Sequence, residues 1–182
     1  PVDRFEPSRA FRKILRRNSD LQVALRPPAA TSEQYALFRN YIDERHHDGG
    51  MSDMSMMDFT AMVDETFVDT NMIEYRLPAQ PSLSGPDNRQ GQLVAAALTD
   101  TLEDGLSMIY SCFDPSMPQR SLGTYMVLNH IERASRLGLP YVYLGYWVRG
   151  SQKMDYKARF LPQERLGKTG WRLYTPQPTE GA

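Results

Sequence analysis

The chain has 182 residues, 41% hydrophobic and 24% charged, with a formal net charge of −1, which suits one sizeable globular domain and excludes a disordered or fibrous chain. Its apolar runs fall short of the roughly 20 residues a membrane helix needs, and no signal peptide is visible, so no membrane partner is expected. Cys112 is the only cysteine. That excludes an internal disulfide framework or thiolate metal cluster and makes a reducing, cytoplasmic setting the simplest expectation.

In chain order, residues 1–30 read as an extended and basic segment. Val2 to Phe5 is extended, a short helix starts at about Ser8 with Arg9, Arg12, Lys13 and Arg16 on one face, and a second extended piece runs from Leu21 to Leu25. Thr31-Ser-Glu-Gln34 fits a capping box, so a helix is expected from there, with Tyr35, Phe38, Tyr41 and Ile42 as its buried stripe. Gly49-Gly50 supplies its stop signal. The adjacent His46 and His47 lack a third ligand near them in sequence, so no metal or other cofactor is expected. A second helix is predicted over Asp58 to Phe67, preceded by a methionine-rich run, Met51 to Met57, that either fills core gaps or lines a pliable apolar pocket.

Met72–Leu77 and Gly91–Leu98 are predicted strands separated by a Pro/Gly/Ser-rich loop, and Glu103-Asp104-Gly105 a hairpin turn into a strand over Leu106–Phe113. A helix then carries Val127, Leu128, Ile131 and Ala134 towards the sheet, followed by a strand over Tyr141–Trp147. Ser151–Phe160 reads as a short basic helix and Trp171–Tyr174 as a closing strand; residues 176–182 form a tail. The order predicts an α/β domain, of α+β type with a mixed sheet, over residues 31–175.

Charge is unevenly spread. From Ser32 to Tyr75 there are ten acidic residues against two basic ones, and from Arg120 to Arg172 ten basic against three acidic. Such separation is either a solvated surface or the footprint of a polyanion. The turn Arg120-Ser-Leu-Gly123 sits where a helix begins, where free backbone N–H groups and the helix dipole favour an anion.

A hairpin, an R-x-x-G turn, a helix and a splayed strand resemble the Gcn5-related acyltransferase fold, whose Q/R-x-x-G-x-G/A turn holds the pyrophosphate of acyl-CoA. Here the last small residue is Tyr125, a ring expected to crowd a CoA pyrophosphate. More of the chain resembles the C-terminal domain of the arginyl-tRNA–protein transferase family, with its bacterial aspartate/glutamate leucyltransferase branch nearest. The resemblance rests on Tyr41–Met51, Ser111–Pro115, Arg120–Tyr125, Tyr141–Trp147 and Lys153–Lys157. It implies transfer of leucine from leucyl-tRNA to proteins with an N-terminal Asp or Glu, creating a degradation signal. The family's cysteine-rich N-terminal domain has no counterpart in these residues, and Pro1 falls about where it would end. An arginyl donor, a CoA-dependent N-acetyltransferase and a non-catalytic tRNA- or protein-binding module are the alternatives.

Aminolysis of an activated ester needs placement and oxyanion stabilisation more than a strong base, because an α-amine titrates at about 7.7–8.0. On that chemistry Tyr143 and Tyr146 are the candidate catalytic hydroxyls. Arg120, Ser121, Gly123, Thr124, Tyr125, Lys153 and Lys157 are candidates for the phosphates, ribose or bases of the tRNA end. Arg45 and Arg159 are candidates for an acidic acceptor side chain. Met51, Met54 and Trp147 are candidates for the donor side-chain pocket.

Overall fold

The computed structural model describes residues 1–45, 50–79, 90–148, 150–151 and 154–175. Helices α1 (Arg9–Arg17), α2 (Ser32–Arg45), α3 (Met56–Asp64) and α4 (Leu122–Leu137) accompany strands β1 (Gln22–Arg26), β2 (Asp69–Arg76), β3 (Leu93–Thr101), β4 (Gly105–Phe113), β5 (Tyr141–Tyr143), β6 (Gln163–Gly167) and β7 (Gly170–Tyr174). Strands β1 to β5 form one sheet in that order; β6 and β7 form a separate hairpin. Every pairing in the main sheet is antiparallel except β4 with β5, which is parallel. The fold is a mixed α/β domain, and β4–α4–β5 is its one parallel crossover among the described residues.

Local chemistry explains the helix starts. Thr31 and Gln34 bond reciprocally, with Gln34 N donating to Thr31 Oγ1 at 3.2 Å and Thr31 N to Gln34 Oε1 at 3.1 Å. A second capping box joins Ser55 and Asp58, so α3 begins at Met56, two residues before the expected start. It ends at Asp64, short of the expected end at Phe67, whose side chain is fully exposed.

The middle of the sheet is buried on both faces. On one side Phe38 and Ile42 of α2 and Phe59 and Val63 of α3 pack with Met72, Leu98 and Cys112; Met51 and Met54 join this cluster. On the other, Leu122, Tyr125 and Met126 of α4 meet Ile73, Tyr75, Val94 and Ala97. Val127 and Leu128, expected to face the sheet, form a cluster with Phe11 of α1 and Phe160 against which Met108 of β4 packs. The first 30 residues are therefore part of the domain: β1 pairs with β2, Val2 N donates to Pro140 O at 2.8 Å, and the Phe11 and Phe160 rings stack 4.9 Å apart.

Candidate active site

Strand β5 follows β4 for only three residues, Tyr141 to Tyr143, where a strand to Trp147 was expected. Beyond Tyr143 the chain leaves the sheet, and Lys157 holds it there. Its ammonium donates to the backbone carbonyls of Leu144 at 2.6 Å and Tyr146 at 2.8 Å, and burial lowers its pKa from the ordinary lysine value. The expected basic helix is here a 3-10 turn over Asp155–Arg159. With β5 peeled away, a cleft of about 950 Å³ opens between this segment and the β6–β7 hairpin, with Val127 and Ile131 of α4 and Phe5 also lining it.

Tyr143, Tyr146, Trp147 and Lys157 all line this cleft. The Tyr143 hydroxyl donates to Asp104 Oδ2 at 2.8 Å. Burial and that carboxylate push its pKa up to about 12, so it stays protonated. Tyr146 is 89% exposed. Trp147 stands beside Arg165, whose guanidinium carbon lies 3.6 Å from the Trp147 ring centroid and 3.4 Å from that of Tyr174.

No thiol or imidazole among the described residues is set up for nucleophilic or base catalysis. Burial pushes the Cys112 thiol up to about 12, which denies it thiolate character. His130 is fully buried, its Nε2 2.8 Å from Thr99 Oγ1 and its Nδ1 2.7 Å from Met126 O. Burial lowers its pKa to about 4. A reaction using these groups must rely on alignment of its substrates.

The α4 N-terminus is arranged differently from the sequence expectation. Arg120 grips Asp20 with two nitrogens, each 2.9 Å from a carboxylate oxygen. Buried Asn18 donates to Arg120 O at 2.8 Å, and Arg17 donates to Gln119 O. The turn is thus fastened to the end of α1. Ser121 is left-handed (φ 52) and its side chain makes no capping bond. Gly123 lies against Phe113, where a Cβ would come within 3.2 Å of the ring. Across the Phe113 ring stand Tyr41, at 4.8 Å between centroids, and the Arg45 guanidinium, at 5.5 Å.

A family model described as arginine-tRNA-protein transferase, C terminus, matches residues 33–167. The chain belongs to that family. Among its relatives, the aspartate/glutamate leucyltransferase of Bradyrhizobium sp. (strain ORS 278) is 59% identical over 171 residues, 93% of this chain and 65% of that protein. The leucyltransferase of Azorhizobium caulinodans is 57% identical over 175 residues, 93% of this chain and 68% of that protein. The chain thus spans about two thirds of the length of these relatives. Among solved structures, the ribosomal-protein-S18-alanine N-acetyltransferase of Escherichia coli is similar at a TM-score of 0.46 and 11% identity, over 75% of this chain and 76% of that one.

Within this transferase-family domain the expected site residues divide into separate groups. The cleft gathers Tyr143, Tyr146, Trp147 and Lys157. Met51 and Met54, grouped with Trp147 as a donor pocket, pack instead on the α2–α3 core. Lys157 is occupied with two backbone carbonyls, and Arg120 with Asp20, so neither ammonium nor guanidinium stands free for phosphate. Tyr125 is 6% exposed and meets Tyr75 edge-on at 5.8 Å. Its ring is in the core, where it neither stacks on a base nor crowds the turn. Thr124 is half-buried. Arg159 lies over Phe11 at 5.4 Å, and Arg45 over Phe113. Lys153 and the His46–His47 pair lie outside the described residues.

Arg165, Asp104, Asp20 and Tyr174 were missed from sequence. Gln163–Gly167 carries no alternating apolar pattern to announce a strand; the Gly167–Gly170 spacing was the one available hairpin signal.

Proposed function

We propose that this domain transfers leucine from leucyl-tRNA to the N-terminal Asp or Glu of acceptor proteins, marking them for degradation. The observation that carries this reading is the 56–59% identity to relatives named aspartate/glutamate leucyltransferase across most of the chain, with the family match over residues 33–167.

The cleft chemistry is consistent with aminolysis. The acceptor's uncharged α-amine attacks the ester carbonyl, the C–N bond forms, the ester C–O bond breaks, and the ribose hydroxyl leaves carrying the amine's proton. The α-amine's ordinary pKa of about 7.7–8.0 leaves a useful uncharged fraction at neutral pH, so the barrier falls chiefly by alignment and oxyanion stabilisation. The exposed Tyr146 hydroxyl is our candidate donor to the developing oxyanion. Tyr143, bonded to Asp104, orients that wall of the cleft. Apolar Leu144, Trp147, Val127 and Ile131 suit a leucyl side chain. The exposed basic face of α1, with Arg9, Arg12, Lys13 and Arg16, is our candidate for tRNA phosphates.

The test is direct. The chain, alone and joined to the rest of a full-length relative, is incubated with leucyl- or arginyl-tRNA and a peptide beginning with Asp, and the product is weighed by mass spectrometry. A leucine adduct is expected. An arginine adduct would replace the donor assignment, an acetyl adduct from acetyl-CoA would replace the reaction, and no adduct from either form would refute transfer.

A further inference from the structure

The β6–β7 hairpin holds an arginine in an unusual state. Strand alternation puts Gln163 and Arg165 on one face, across from Tyr174 and Arg172. The Arg165 Nε donates to Gln163 Oε1 at 2.9 Å, and both faces of its guanidinium are covered, by Trp147 at 3.6 Å and Tyr174 at 3.4 Å. Stacking of this kind fixes the plane of the fork and leaves only its edge for bonding. On that edge Nη2 is buried with no hydrogen-bond partner among the described residues, and so is the indole N–H of Trp147. Buried donors without acceptors are unfavourable and rare, so two in adjoining side chains call for an explanation. A third observation agrees: Arg172 sits directly opposite Arg165 in the hairpin register, and like charges in that relation repel.

We propose that Arg165 reads the acidic side chain of the acceptor: its guanidinium edge and the Trp147 indole N–H together take a carboxylate in the cleft. A carboxylate is acceptor-only and has two oxygens, so it satisfies both donors and neutralises the Arg165–Arg172 repulsion. The identity of that carboxylate as an N-terminal Asp or Glu rests on the transferase reading above. The cleft's other charges favour this occupant over a nucleic-acid backbone. Asp104 and Glu164 also line it, Glu164 paired with Arg4 at 3.2 Å, while the Lys157 ammonium there is taken up by two backbone carbonyls, so a row of phosphates would run against two carboxylates. An N-terminal Asp or Glu brings a cationic α-ammonium beside its carboxylate and matches both signs. Arg165 is thus a specificity-determining residue, in a position for which neither Arg45 nor Arg159 is similarly prepared: each lies over a single phenylalanine ring.

The experiment is calorimetric titration of the chain with short peptides beginning Asp, Asn, Glu or Gln, without tRNA. The wild-type chain should prefer Asp over Asn, and Glu over Gln, by roughly tenfold to a hundredfold, the scale of a charge-assisted fork. Arg165→Gln should abolish that preference, and Arg165→Lys, which keeps charge but not the fork, should restore part of it. Trp147→Phe, which keeps a ring and removes the N–H, should weaken it several-fold, and these last two variants decide the matter if Arg165→Gln does not fold. A wild-type chain indifferent to Asp and Asn would overturn the proposal. So would an Arg165→Gln variant that keeps the preference. Because no leucine is transferred in this assay, a preference without transfer activity would sink the transferase reading alone. Transfer activity without a preference would sink only the role of Arg165.

Discussion

Acidification should destabilise this fold through His130, well before the carboxylates titrate. The ring is fully buried between α4 and β3, bonded to Thr99 Oγ1 and Met126 O, and the Arg133 charge further disfavours its protonated form. Among the described residues no carboxylate acts on it, and although the Met126 carbonyl favours the imidazolium, burial outweighs that bond. Its pKa falls from an ordinary 6.5 to about 4. The unfolded chain therefore takes up the proton first as pH drops. Stability from this group is complete above 6.5, drains away between 6.5 and about 4, and is flat below. At 1.36 kcal/mol per pH unit that interval corresponds to about 3 kcal/mol, a large fraction of the stability of one domain. Urea unfolding at pH 7, 6, 5 and 4.5 measures it, with His130→Leu as the control. The leucine variant should lose about 1–2 kcal/mol at pH 7, since Thr99 keeps a bond to Ala97 O and Met126 O lies within a helix. Its stability should then be nearly level down to pH 5. A variant that keeps the wild-type slope, or an NMR titration that puts the native imidazole near 6.5, would refute this role for His130.

Three further outcomes follow from the geometry. Arg120→Ala should lower stability by about 1 kcal/mol, because it releases a partly exposed ion pair with Asp20, while leaving the salt dependence of tRNA binding unchanged; a flattened salt slope would restore the phosphate role. Lys157→Met removes the two bonds that hold Leu144 and Tyr146, so a loss of roughly 1–2 kcal/mol is expected in denaturant titration together with a raised KM for the acceptor peptide. An unchanged KM would show that the cleft wall holds its place without the ammonium. Cys112→Ala should leave transfer rates within about twofold and cost about 1 kcal/mol of stability, since the thiol is buried and protonated; complete loss of transfer in a folded variant would reinstate a covalent route.

The contrast between the two capping boxes shows how much local sequence can carry. Thr31–Gln34 was legible because its bonds span three residues. Ser55–Asp58 follows the same logic with aspartate in place of glutamate or glutamine, and missing it shifted the start of α3. Strand β4 and helix α4 were legible for the same reason of short-range periodicity. The candidate site was less so. Tyr125 looked like a lining residue of the turn because of its place in the motif, yet side-chain direction on a helix depends on what the helix packs against, and Tyr75 lies on that side.

By itself the sequence determined most element types from α2 to β4, the mixed α/β class and the family, since these depend on periodicity, turn chemistry and blocks of residues that stay in order; the 3-10 turn at Asp155–Arg159 and strand β6 lay beyond it. Tertiary structure alone decided where β5 stops, because a strand persists only while a neighbour offers hydrogen bonds, and Lys157 diverts the chain after Tyr143. It also decided which cations are free. Arg120 finds Asp20 a hundred residues away, whereas Arg165 finds two rings and, among the described residues, no carboxylate. Pairing of that kind depends on the meeting of distant segments, and residue spacing does not encode it.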